Sequence, residues 1–219
     1  MPALIEHSNS WIFLPMIRIG TLRLAGRVLL LSILVLPLSH PGNAQEVGLE
    51  LNSAQTQIKF TLGDVLHTVH GTFALKPSRL RFNPTTGQTS GTVVVESFSG
   101  QSGNQSRDKK MHKEILESNA YPEITFTPIR FRGPLALQGD SDVDVTGIFK
   151  LHGIDHEITL KTHLHITGDQ LIADMQFPVP YVKWGLRNPS TFILRVSDTV
   201  NIDLHATGRL TKAPDSTVP

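Results

Sequence analysis

The chain has 219 residues, with 20 Lys and Arg against 19 Asp and Glu, a formal net charge of +1, and no cysteine. That balance excludes a protein that holds nucleic acid by bulk charge, and the missing thiols exclude disulfides, thiolate catalysis and cysteine zinc sites. What cohesion the fold has must come from its apolar residues, 39% of the chain.

Residues 1–44 read as a secretion signal. Arg18, Arg23 and Arg27 precede the run VLLLSILVLPL at 28–38, which is too short to span a bilayer and the right length for a signal-peptide core. Gly42-Asn43-Ala44 supplies the small residues a signal peptidase reads, so cleavage is expected before Gln45, and Met16 would start a leader of ordinary length. Residues 45–219 are then expected to form one domain, periplasmic or secreted.

From residue 57 onward the apolar residues alternate with period two, the pattern of half-buried strands. Ile58, Phe60 and Leu62 face one way. The chain continues as short strands over 72–76 and 79–82, a turn at 83–87, and a strand over 91–97 with Val93 and Val95 on one face. After a polar loop at 99–105, SRDKKMHKEILES is the one segment of helical character, with Met111 and Ile115 four apart, Ser106 as N-cap and Pro122 beyond its end. Ile124, Phe126, Ile129 and Phe131 form rows interrupted by Pro128, which predicts an edge or a bulge. Then Val143 and Val145, Phe149 and Leu151, a hairpin turn at 153–155, and the inward row Ile158, Leu160, Leu164, Ile166 follow. Leu171 to Phe177 and Val200 to Ala206 complete the set. Many antiparallel strands with short turns and one helix on a long connection mean an all-β barrel or sandwich, and alternation alone leaves both open.

The candidate chemical groups weaken under this reading. His67 and His70 lie on opposite faces of an extended segment and cannot share an ion. His152 and His156 flank the predicted hairpin turn and could face each other at roughly 5 Å, yet a closed metal site wants about four ligands; no metal and no cofactor are expected. There is no Gly-x-Ser-x-Gly elbow and no phosphate loop, and Asp140, Asp142 and Asp144 read as a solvated strand face, so no enzyme is expected. Arg107, Lys109, Lys110 and Lys113 crowd the start of the helix. They are either an anionic head-group site or ordinary charges on a mobile loop. The strongest remaining signal is aromatic: Phe60, Phe73, Phe82, Phe126, Phe131, Phe149, Phe177 and Phe192 fall on the inward faces, where they fill a core or line a cavity.

The order of LNSAQTQIKFTL, HTVHGTF, VVVESFSGQSGNQSRDKKMHKEILESNAYPEITF, VTGIFKLHGIDHEITL and TVNIDLHA resembles the YceI-like family of lipid- and polyisoprenoid-binding proteins, over about residues 49–210. The resemblance implies an extended, lipocalin-like antiparallel β-barrel that carries an isoprenoid or fatty chain in an apolar tunnel, without catalysis, as a monomer or homodimer with no transmembrane anchor. On that basis Phe60, Leu62, Phe73, Val95, Phe126, Phe149, Leu160 and Phe177 are expected to line the tunnel, and His70, Arg107, Lys109 and Trp184 to sit at its rim. The alternatives are a structural or stress-related interaction module with a packed barrel, or a weak metal binder working through surface histidines.

Overall fold

The computed structural model describes residues 46–63, 67–191 and 195–212; the leader expected at 1–44 and the inward Phe192 lie outside the described residues. Eleven strands are formed among them: β1 (Val47–Leu51), β2 (Gln57–Gly63), β3 (Thr68–Phe73), β4 (Ser78–Phe82), β5 (Thr89–Gly91), β6 (Val93–Glu96), β7 (Glu123–Arg132), β8 (Gly139–Leu151), β9 (Ile154–Thr167), β10 (Gln170–Val179) and β11 (Val200–Lys212). All named pairs are antiparallel, and β8, β9, β10 and β11 run in simple meander order. These strands are long because their alternation is unbroken, so each buries one row of side chains while its polar row stays wet.

The last strand organises the rest. One edge of β11 pairs with β10; its other edge takes β1 along one half and β2 along the other. The chain bends between β1 and β2 at Asn52, whose Oδ1 accepts from the N–H groups of Ala54 and Gln55 at 3.1 and 3.2 Å, an Asx turn of the kind that residue favours. The sheet then comes round on itself by two routes. At one end β3 runs on into residues 74–76, which exchange hydrogen bonds with β6 (Lys76 N–H to Val94 O, 2.8 Å; Glu96 N–H to Ala74 O, 3.1 Å). At the other, β1 pairs β4, β4 pairs β5, and Gln88 bridges to Arg130 in β7. The result is a nearly closed barrel, which leaves few strand edges open to other chains.

The bulge expected at Pro128 is present: the register of β7 shifts between Pro128 and Arg130, where the proline has no N–H for the ladder. Three local features differ in detail from expectation. Ile129, expected in an apolar row, is turned outward at that bulge. The β8–β9 turn is His152-Gly153 and not 153–155: both residues have positive φ, 53° and 77°, and Leu151 pairs with Ile154, the two-residue form that matches strand twist. The helix is capped by Asn104, whose side chain accepts from Arg107 N–H at 3.0 Å, and not by Ser106. It runs as α1 (Gln105–Lys110) into a π turn (Met111–Ile115). The backbone of Glu117 then takes a positive φ of 45°, a left-handed residue that ends helices.

The interior holds two packed clusters. Leu49, Phe82, Ile166, Leu171, Ala173 and Ala206 form the first, where β9 ends and β10 begins; Leu151, Val179, Tyr181 and Leu186 form the second, at the opposite ends of those strands, covered by Ile115 and Leu116 of the helical connection.

Candidate functional site: an apolar cavity through the barrel

Between and beside those clusters the barrel is hollow. A cavity of about 220 Å³ is walled by residues from each of the eleven strands, from Leu49 and Leu171 near the first cluster to Ile124, Phe149 and Phe177 near the second. The surface it presents is wholly hydrocarbon: a few threonines stand beside it without exposing a polar atom to it, and Arg81, also beside it, sits in the outward row of β4 and is exposed. An engineered apolar cavity of roughly 150 Å³ stays dry and takes up benzene. This one is larger, so the barrel is not packed solid.

Its emptiness has a local cause. Several phenylalanine rings rest against glycines, in space that a side chain would otherwise fill. A Cβ on Gly71 would meet the Phe60 ring at 2.3 Å, one on Gly147 the Phe126 ring at 2.8 Å, and one on Gly100 the Phe73 ring at 2.6 Å. Ala173 and Ala206 pair across β10 and β11 and both face the cavity, so two small side chains stand where larger ones would close it.

Six of the eight expected lining residues form walls: Phe73, Val95, Phe126, Phe149, Leu160 and Phe177. Phe60 is buried but stands behind the wall, its ring laid over Gly71 and 5.5 Å from that of Phe73. Leu62 packs at the second cluster. Of the expected rim, only Trp184 reaches a wall, with its ring 5.7 Å from Phe149 while its other contact, His156, stacks on it at 4.0 Å and 8°. His70 is exposed on the outward row of β3, Nδ1 3.1 Å from Thr61 Oγ1. Arg107 clamps its own loop, donating from Nε to Ser102 Oγ (2.7 Å) and from Nη2 to Ser102 O (2.8 Å), while Asp108 accepts from Ser102 N–H and hydroxyl. Lys109 is exposed on the same short helix. The basic cluster therefore does not gather around a mouth, because the loop consumes its arginine and the Asn104 cap takes up the helix start.

Leu80, Phe82, Phe131, Val143, Met175 and Leu204 are further wall residues on the same inward rows; the signal for them is period-two alternation, since most of them are not aromatic. Thr162 also occupies an inward position, between Leu160 and Leu164, and satisfies its hydroxyl on the Leu160 carbonyl at 3.2 Å.

Two other groups of polar side chains carry potential chemistry. Under the helical connection, Ser97 Oγ lies 2.8 Å from Ser118 Oγ, Ser118 Oγ 3.3 Å from His112 Nδ1, and His112 Nε2 2.9 Å from the Gly100 carbonyl. A carbonyl only accepts, so Nε2 carries the proton, Nδ1 accepts from Ser118, and Ser118 accepts from Ser97. Every member is satisfied, and Ser118 and Ser97 are 0% and 1% exposed. No substrate reaches them; the chain fastens the connection to the barrel. On the outside, Asp142, His163, Asp174 and His205 lie in direct register across β8, β9, β10 and β11. Asp142 accepts from His163 Nδ1 at 2.9 Å, Asp174 from His205 Nδ1 at 2.6 Å, and Asp140 from His165 Nδ1 at 2.6 Å. The hydrogen bond to Asp142 raises the His163 pKa, and the bond from His165 lowers that of Asp140.

The expected meeting of His152 and His156 does not occur. With the turn at 152–153, Phe149 stands opposite His156, and the His152 ring instead meets that of Tyr121 in a tilted contact (4.1 Å, 43°), with Nε2 3.2 Å from Glu117. Among the described residues no three His, Asp or Glu side chains converge as a metal cage requires. At the second cluster, the Tyr181 hydroxyl donates to Ser197 O at 2.8 Å, and burial, helped by Asp198, pushes its pKa up to about 12. No described helix is long and apolar enough to cross a membrane.

Comparison with known proteins agrees with this architecture. BcnA of Burkholderia cenocepacia superposes with a TM-score of 0.60 at 17% identity, over 72% of this chain and 98% of that one. A domain from Saccharophagus degradans, described as a polyisoprenoid binding domain implicated in plant cell wall breakdown, superposes with a TM-score of 0.56 at 18% identity, over 76% and 98%. No curated protein matches the sequence. The family model of the YceI-like domain matches residues 49–208, the stretch that builds the barrel from β1 to β11 and walls its cavity, and the chain therefore belongs to the YceI-like family.

Proposed function

We propose that this protein is an exported, non-catalytic carrier that holds the hydrocarbon chain of an isoprenoid or other long-chain lipid in its barrel. The observation that carries the reading is the cavity itself, apolar along its length and walled by every strand. A fold that keeps such a void forfeits packing contacts when empty, and a guest restores them. Each methylene moved from water to the cavity contributes about 0.8 kcal/mol, so a tail of ten carbons offers roughly 8 kcal/mol before ordering costs, which suits reversible binding. Phe73, Phe126, Phe149 and Phe177 supply the aromatic part of the wall, and Trp184 covers the end at Phe149. At about 220 Å³ the space is below the roughly 300–1,000 Å³ of pockets that enclose drug-sized ligands. A full isoprenoid tail therefore requires wall side chains such as Met175 to change rotamer as it enters. The Saccharophagus relative's description and the arginine-led apolar leader agree with lipid carriage outside the cytoplasm.

Native mass spectrometry of protein isolated from its own cell envelope tests the reading. A co-purifying lipid, or uptake of an isoprenoid quinone by stripped protein, is expected. Neither occurring would overturn it.

A further inference from the structure

The two ends of the cavity are closed differently. At the second cluster the cover is fastened from several sides: the Ser97–Ser118–His112 chain is buried and satisfied, the Tyr181 hydroxyl donates to Ser197 O at 2.8 Å, and Trp184 is stacked on His156. At the first cluster the cover is a single strap, residues 133–139, where β7 passes into β8. Of residues 132–138 only Leu135 is withdrawn from solvent; it packs against the first cluster and forms part of the cavity wall, while Leu137 is 47% exposed. Among the described residues, 134–138 take part in no backbone-to-backbone hydrogen bond. What holds them passes through side chains: Ala136 N–H donates to Ser141 Oγ at 2.8 Å, and the Gln138 amide donates to Gly168 O at 3.2 Å while accepting from Gly168 N–H at 3.1 Å. Both ends of the strap are glycines with positive φ, 118° at Gly133 and 86° at Gly139.

We infer that this strap is the door of the cavity, with Leu135 as its inner plug and the Gln138–Gly168 pair as its latch: a hydrocarbon tail enters at the first cluster when the strap swings out about Gly133 and Gly139. This rests on the carrier reading. A tail has to pass one end of the barrel, and the less costly opening decides which. The latch groups lie at the surface, so water takes over their hydrogen bonds as the strap lifts. A segment with few buried contacts and little backbone bonding is also where a protein opens locally. Glycine occupies positive and negative φ alike, which suits both hinge positions to the backbone change that a swing requires. Opening the other end would break the chain between Ser97 and Ser118, 1% and 0% exposed, or draw Tyr181 and Leu186 out of the core.

Stopped-flow uptake and release of cis-parinaric acid, whose polyene fluoresces once it leaves water, tests this with two variants. Gln138→Ala removes the latch. It is expected to speed uptake and release together, each about fivefold, with affinity little changed, because the latch is made in the empty and the filled barrel alike. The double variant Gln138→Cys/Thr167→Cys locks the strap: residue 138 lies one step beyond the last β8–β9 pair, Gly139 with Ile166, which sets it opposite Thr167 at a Cα spacing of about 5 Å that a disulfide spans. The chain has no other cysteine to compete. The oxidised double variant is expected to take up the probe roughly tenfold more slowly than the same protein after reduction. Unchanged rates in Gln138→Ala, or equal rates for the oxidised and reduced double variant once mass spectrometry shows the bridge, would overturn the door and leave a carrier that fills from another place. If wild-type protein binds no parinaric acid, the carrier reading itself fails and this inference with it. Gln138 is exposed, so its alanine variant keeps the fold and carries the test even where the bridge does not form.

Discussion

A phenylalanine on an inward row can either fill a barrel or leave it open, and the residue beneath its ring decides which. Gly100 shows this most simply. Its missing side chain is where the Phe73 ring and the Met111 methyl rest, at 2.6 and 2.8 Å from a would-be Cβ, and the nearest obstacles are all side chains. Gly100→Ala should therefore keep the backbone in place and push Phe73 toward the cavity. The expected result is a stability loss of about 1–3 kcal/mol from overpacking, together with weaker uptake of the longest tails; unchanged uptake in a lipid-binding assay would show that Phe73 does not bound the occupied space. Period-two alternation identifies Phe60 and Phe73 equally as inward. It cannot tell that Phe60 lies flat on Gly71 behind the wall, because that contact joins residues paired by strand register, which one sequence does not display.

The same limit operates between elements. Alternation marks His163 and His165 as the wet face of β9 and Asp140 and Asp142 as that of β8, and both faces are as expected. What it does not supply is the register that lines up Asp142, His163, Asp174 and His205 across four strands, with Asp140 beside both His163 and His165, and Asp144 and Lys161 opposite each other in the next row. The consequence is a pH dependence with a definite sign. His163 binds its proton more tightly in the folded protein, so its contribution is full below the ordinary imidazole value of 6.5 and is lost as pH rises through the raised folded value. Asp140 contributes above the ordinary value of 3.8 and loses that contribution as pH falls through its lowered folded value. Both act together between these ordinary values. The difference in melting temperature between wild type and Asp142→Asn should therefore be largest below the ordinary imidazole value of 6.5 and shrink as pH rises through the raised folded value of His163. An NMR titration of His163 should show its pKa falling in the variant; no movement would mean that the pair exists only as proximity. Since these groups are solvent-exposed, the effect on the melting curve will be small and salt-sensitive.

For the whole molecule, sequence pattern reaches an antiparallel all-β fold but not the choice between barrel and sandwich, since closure depends on residues 74–76 and on Gln88, short segments outside the named strands with no periodicity of their own. Hollowness is still less visible, because it is a matter of volume: inward alanines read as ordinary core until Ala173 is seen to face Ala206 across β10 and β11 on the cavity wall. If that volume is kept for a guest, filling it should improve the empty protein and harm the carrier. Ala173→Leu places an isobutyl group where wall contacts are now missing. The ligand-free variant is expected to gain about 0.5–2 kcal/mol, as cavity-filling changes commonly do, while uptake of an isoprenoid quinone falls at least severalfold. The opposite pairing is equally informative: a destabilised empty variant would mean that the space beside Ala173 cannot take a larger side chain, and a stabilised variant with undiminished uptake would mean that the tail occupies some other part of the protein. Differential melting with and without the quinone reads both quantities from one sample, because a guest that binds only the folded barrel raises its melting temperature with concentration.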